Sequence, residues 1–191
     1  MLLSVRHGRT VANASGLLQG RVDNPLDVVG RQQAHEISLA LGTVDIVVSS
    51  PLQRARETAE PLGLPLRLDE RWIELDYGEW DELPITEVTA DQWTQWRSDS
   101  TFAPPGGESL AELDQRVAEA CNDLLAEAAE LNVAVFTHVS PIKSAMAWAL
   151  GVEEQISWRL QVGQAQISRI AVREGRPLLT SFNETSHLTS R

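Results

Sequence analysis

Lysine is almost missing from this chain. Lys143 is the only one, and all other basic side chains are arginine. Positive charge is also outnumbered: 16 Lys and Arg face 27 Asp and Glu, a formal net charge of −11. So acidic a chain lacks the basic face that nucleic acid requires, which argues against a nucleic-acid partner. Cysteine occurs once, at Cys121. That excludes an internal disulfide framework and a multi-cysteine metal site. Cys121 falls in an apolar helical stretch and reads as a buried, inert thiol. Long apolar runs are missing too, so no bilayer span is expected and no membrane partner. Leu2-Leu3 leads straight into Ser4-Val5-Arg6 without a secretory-type apolar stretch, so the expected location is cytoplasmic by default. There is no repeat, low-complexity tract or linker. Residues 1–191 are therefore expected to form one domain with a sizeable core.

What is present is a set of short apolar runs that end in cationic groups. Leu2 to Val5 ends in Arg6-His7-Gly8. Asp45 to Val48 is followed by Ser49-Ser50-Pro51-Leu52-Gln53-Arg54, and Val133 to Phe136 by Thr137-His138. If the runs are neighbouring parallel strands, these groups meet at the carboxyl edge of a sheet, where open α/β sheets bind ligands. Two imidazoles and two guanidiniums meeting there would make a pocket for a doubly charged anion, with phosphate the obvious candidate. In an acidic chain such a pocket must be a local field, because distant charges are screened.

The remaining pattern alternates helices with strands. Helical spacing is expected over Asp27–Leu41, Pro51–Leu62, Ile85–Trp96 and Ser109–Leu131, with Val11–Val22 rich in loop. Leu66–Leu68 reads as a short strand. Ser140-Pro141 is expected to cap a helix that runs to Leu150 and stops at Gly151. Gln166–Val172 and Leu178–Phe182 read as a closing hairpin through Glu174-Gly175. This order implies an α/β fold with a mostly parallel central sheet and helices on both faces.

The chemistry follows from the residue types. A neutral imidazole nitrogen attacks phosphorus when its other nitrogen is held as a donor, so His7 is a candidate nucleophile. Gly8 would let the backbone turn and a ligand come close. Arg6 and Arg54 would grip phosphate oxygens in bidentate fashion. Such transfer is mostly positioning and electrostatics, so no metal and no other cofactor are called for. A helix after His138 would aim free amides at the same anion. Glu74 and Asp76 are candidate acids for the leaving oxygen, kept protonated by apolar neighbours. Trp93 and Trp96, spaced i, i+3, are read as ordinary packing before a lid or a dimer contact.

Val5-Arg6-His7-Gly8-Arg9-Thr10 with Asn13 resembles the Arg-His-Gly motif of the histidine phosphatase superfamily, also called phosphoglycerate mutase-like. The resemblance runs on through Gly20-Arg21-Val22-Asp23-Asn24-Pro25-Leu26 and Ser49-Ser50-Pro51-Leu52-Gln53-Arg54. It continues through Glu74-Leu75-Asp76-Tyr77-Gly78, Pro105-Gly106-Gly107-Glu108-Ser109 and His138. It implies a three-layer sandwich. It also implies that His7 takes the phosphoryl group and passes it to water, while Arg6, Arg54 and His138 hold the phosphate. Asn13, Gln19 and Gly20 add contacts, and Glu74 rather than Asp76 is the acid. Arg21, Val139 and Glu108-Ser109 are candidates for the substrate rim.

Two departures from the family pattern stand out: Arg9, where many members carry Glu or Gln, and Val139, where many have Gly. Arg9 either widens the anion pocket or points to solvent. Lys143 is expected at a solvated surface. The run from His138 to Lys143 resembles α-ribazole phosphatase and broad-specificity acid phosphatases. The glycolytic mutases are longer than 191 residues. The resemblance thus implies a metal-independent phosphomonoesterase for a small phosphorylated metabolite, as monomer or homodimer. The alternatives are a 2,3-bisphosphoglycerate-dependent phosphoglycerate mutase and a non-catalytic phospho-ligand-binding module.

Overall fold

The structure, a computed structural model, describes residues 1–189. Its strands are β1 (Leu2–Arg6), β2 (Ile46–Ser49), β3 (Leu66–Leu68), β4 (Val133–Thr137), β5 (Ile167–Arg173) and β6 (Arg176–Glu184). They form one sheet in the order β3-β2-β4-β1-β5-β6. The first four positions are parallel and the β5–β6 hairpin closes the sheet antiparallel to β1. The three cation-bearing runs are therefore neighbours, with β4 in the middle.

The period-two alternation of each strand sorts its side chains onto two faces. Leu2, Val48, Val133, Val135 and Ile170 pack on one side. There they meet α5 (Leu110–Glu130) and α6 (Val139–Leu150) through Val117, Cys121, Leu124, Ile142 and Met146. Leu3, Val5, Val47, Ala134 and Phe136 point to the other side. They meet Ile37 and Leu41 of and just beyond α2 (Val28–Ala40), and Ala59 at the end of α3 (Gln53–Ala59). Cys121 is fully buried, and burial pushes its thiol up, which keeps it unreactive. Among the described residues no helix is long and apolar enough to cross a membrane.

Four expected boundaries move, each for a local reason. Within Val11–Val22 the structure forms a short helix, α1 (Val11–Ala14), closed by a Thr10–Asn13 capping box. Pro51 precedes α3 instead of opening it. Leu52 is extended, and Asp23 accepts the Gln53 amide at 2.6 Å. Residues Glu60–Leu62 then tighten into a 3₁₀ turn that ends on Gly63. Ile85–Trp96 is interrupted as well. Ile85–Glu87 is a 3₁₀ turn, and extended Thr89 starts α4 (Ala90–Ser98) with its own Thr89–Gln92 capping box. The cap of α6 is His138, and Ser140-Pro141 lie inside its first turn, where proline's missing donor costs nothing.

Gly8 serves packing rather than ligand approach. A Cβ on Gly8 would lie 2.5 Å from the Gly30 carbonyl oxygen, and one on Gly30 would lie 2.0 Å from that of Arg9. The two glycines let the segment after β1 lie against the first turn of α2. Gly30→Ala should therefore destabilise the fold by about 2 kcal/mol or more, read as a lower urea midpoint. An unchanged midpoint would show that this contact opens freely.

Candidate active site

His7 prolongs β1 by one residue, its amide donating to the Thr137 carbonyl at 3.0 Å. The ring is buried, and Nδ1 lies 2.7 Å from the Gly8 carbonyl oxygen. A carbonyl only accepts, so Nδ1 carries the proton and Nε2 keeps its lone pair. Burial first, and then the charges of Arg54 and Arg6, hold His7 well below its ordinary 6.5.

His138 directly follows β4, with its ring centroid 5.1 Å from that of His7. Arg54 Nε donates to its Nδ1 at 3.2 Å. An arginine cannot accept, so the proton of His138 sits on Nε2 and is donated to Ser50 Oγ at 2.8 Å. The two imidazoles are thus both neutral and of opposite tautomers. Burial, and then Arg54, lower His138 as well.

Arg54 is fully buried at the start of α3. Its Nη1 and Nη2 donate to the carbonyls of Val22 and Gly20 at 2.8 and 2.6 Å. Arg6 donates through Nη1 to the Val162 carbonyl at 2.9 Å, while its Nε is buried without a partner. Burial brings both arginines down to about 10, so both remain charged at neutral pH.

Glu74 stands in the loop after β3. Its carboxylate receives the amides of Val139 and Ser140, at 3.0 and 3.1 Å, and of Leu75 at 2.8 Å. The free amides of α6, expected to face an anionic ligand, thus face Glu74. Its expected apolar cage is largely a cage of backbone donors. Asp76 turns away to pair with Arg21 at 3.2 Å. Arg116, which the sequence reading passed over, holds the Glu74 loop. It donates to the carbonyls of Arg71, Ile73 and Glu74 and pairs with Glu108 at 2.7 Å. Its only signal in the sequence is an arginine flanking the apolar stripe Leu110, Leu113, Val117 of α5.

Next to these groups opens a cavity of about 390 Å³. Of the expected residues, Arg6, His7, Asn13, Gln19, Glu74 and Val139 line it. Arg54, His138, Gly20 and Arg21 do not; the first three are buried behind it and Arg21 is at the surface. Gln19 Nε2 is buried without a partner, and its Oε1 accepts from Thr10. Arg9 neither widens the pocket nor points to solvent: it pairs with Asp27, the N-cap of α2, at 2.7 Å.

Lys143 departs most from expectation. It is partly buried in the cavity wall, with burial lowering its pKa and Glu74 opposing that shift. Val139, Ser140 and Lys143 lie on one face of α6 (i, i+1, i+4), and that face is the cavity wall. Trp96 is packed as expected, 3% exposed, but Trp93, Trp96 and Trp158 also form part of the lining.

The sheet and its edge define an α/β protein with an arginine-flanked cavity beside a neutral histidine. The sequence pattern of the histidine phosphatase superfamily (branch 1) matches residues 2–185, and the chain belongs to that family. A phosphoserine phosphatase from Entamoeba histolytica, solved with phosphoserine, superposes with a TM-score of 0.91 at 31% identity over 98% of both chains. A bifunctional protein of Mycobacterium tuberculosis is 31% identical over 98% of this chain, which spans 54% of that relative's length. The chain thus spans about half the length of the first curated relatives it matches. A protein of Yersinia enterocolitica named as a probable phosphoglycerate mutase is 31% identical, over 96% of this chain and 93% of its own.

The two depressed histidines link stability to pH. Below 6.5 the unfolded chain takes up protons that the folded site resists, so stability is full above that value and is lost as pH falls. The depressed carboxylates Asp27, Asp69 and Glu184 have ordinary values of 3.8 to 4.5 and act only in more acid solution. Urea midpoints should therefore fall between about pH 6.5 and 5, and His138→Asn should flatten that slope. A flat wild-type profile over this window would contradict neutral, buried imidazoles.

Proposed function

We propose that this chain is a phosphomonoesterase acting on a small phosphorylated metabolite through a phosphohistidine on His7, with residues 1–191 as one such domain. The observation that carries this reading is the His7 ring: Nδ1 tied to Gly8, and Nε2 unprotonated in a cavity that Arg6 and Glu74 also line. Arg6 Nε and Gln19 Nε2, both buried without partners, supply donors for phosphate oxygens, and Asn13 lies in the same wall. Arg54 and His138 act from behind, as charge and as a brace.

In the first step the Nε2 lone pair forms a bond to phosphorus and the ester P–O bond breaks. Glu74, in its protonated form, gives its proton to the departing oxygen. In the second, the Glu74 carboxylate takes a proton from water, the water oxygen bonds to phosphorus and the P–N bond breaks. The sum is ester plus water to alcohol plus phosphate. The α6 amides stabilise the carboxylate formed between the steps.

Phosphatase is favoured over mutase by the cavity itself. Among the described residues Arg6 and Lys143 are the two cations in its lining, and much of the rest is indoles and leucines. Beyond the groups that meet the first phosphate, a bisphosphorylated primer would find Lys143 as the further cation for its second, among largely apolar lining.

Denaturing quench during turnover, followed by mass spectrometry, should find one phosphoryl group on the peptide carrying His7, and none in His7→Ala. Glu74→Gln should lower kcat/KM, which reports phosphoryl transfer to His7, about a hundredfold or more for an alkyl phosphate yet by less than about tenfold for p-nitrophenyl phosphate, because in that step only the former needs a proton. Equal losses on both would remove Glu74 as the acid. Conversion of 3-phosphoglycerate only with 2,3-bisphosphoglycerate present would favour the mutase.

A further inference from the structure

The indole part of the cavity wall is more specific than a generic apolar surface. Trp93 and Trp96 of α4 are stacked, with centroids 5.5 Å apart and planes 14° apart. Trp158, from the 3₁₀ segment Glu154–Arg159, stands edge-on to Trp96 at 5.4 Å and 79°. The Arg97 guanidinium lies 5.9 Å from the Trp93 ring centre and 5.8 Å from that of Trp158, bridging the two elements. Tyr77 and Trp80 brace Trp96 from the core side, both near edge-to-face. The indoles are therefore held in place before any ligand arrives, which lowers the ordering cost of binding.

Trp93 and Trp158 remain only partly buried, and both line the cavity together with Leu17, Ile85 and Leu110. Core packing alone would have covered them. The cavity of about 390 Å³ lies in the size range that accepts ring-bearing ligands, well beyond a lone phosphoryl group. Lys143 lines the same cavity and feels the charges of Glu74 and Arg6. A zwitterionic alcohol such as serine would lose hydration against this wall with few charged partners to replace it.

We propose that the substrate is a phosphomonoester whose alcohol part carries an aromatic ring, seated against Trp93 and Trp158 while its phosphate meets His7 and Arg6. Attribution of hydrolysis rests on the phosphatase reading above; recognition of the ring does not. Aromatic contact and burial together should be worth about tenfold or more in affinity.

The test compares benzylphosphonate with methylphosphonate, neither of which can be hydrolysed at its P–C bond, by calorimetry on the wild-type protein. Benzylphosphonate should bind about tenfold tighter or more, and Trp158→Leu and Trp93→Leu should each bring the ratio toward one. In turnover, 2-phenylethyl phosphate should exceed ethyl phosphate and phosphoserine in kcat/KM. Equal binding of the two phosphonates, or phosphoserine as the best ester, would overturn the proposal. Tight benzylphosphonate binding with no phosphate release from any ester would uphold the aromatic site and sink the phosphatase reading. Phosphate release without ring preference would do the reverse.

Discussion

Two guanidiniums share the interior edge of the sheet, and among the described residues neither forms a salt bridge. Arg54 instead gives its protons to two carbonyls and to the ring of His138. The rest of the site depends on that choice. A donor at His138 Nδ1 forces the ring's own proton toward Ser50, and two nearby cations discourage protonation of either imidazole. The same guanidinium anchors the Gly20–Val22 backbone. That backbone in turn donates three amides, from Gly20, Arg21 and Val22, to Asp81 at 2.8 to 3.0 Å. One buried side chain thus ties β4, α3 and the loop preceding α2 into a single arrangement around His7.

The site also reconciles a net charge of −11 with the anionic ligand proposed for it. Acidic side chains at the surface are screened within about 8–10 Å. Inside, the charge that matters comes from Arg6, Arg54 and Lys143, with Glu74 as the opposing carboxylate that influences all three. Seating Glu74 on the α6 amides lets a carboxylate stay close to the reacting end without a direct ion pair to either arginine. Arg116 secures that seat by fixing the loop's carbonyls rather than the carboxylate.

Much of this was legible in the chain. The strand ends carry Arg6-His7, Ser50 and His138, and adjacency of their strands follows from ordinary parallel α/β topology. The helix expected over Asp27–Leu41 starts where its sequence begins, with Asp27 as the cap of α2. Other features depend on partners remote in sequence. Lys143 looked solvated because nothing in α6 alone tells that α4 and the segment near Trp158 rise beside it. Arg9 could not be placed without knowing that Gly8 and Gly30 bring Asp27 within reach. The interruption of Ile85–Trp96 was readable in principle, since Thr89-Ala90-Asp91-Gln92 is a capping box, but apolar spacing outweighed it. The seat of Glu74 on α6 joins residues 65 positions apart and leaves no local trace.

The central claim is that His7 waits as a neutral imidazole with its proton on Nδ1 and its Nε2 lone pair free. Long-range ¹H–¹⁵N correlation spectra of the free protein at neutral pH read this directly. The account predicts a protonated-type Nδ1 shift and an unprotonated-type Nε2 shift for His7, the reverse for His138, and both retained well below pH 6.5. An imidazolium signal for His7 at neutral pH, or a proton on its Nε2, would contradict it.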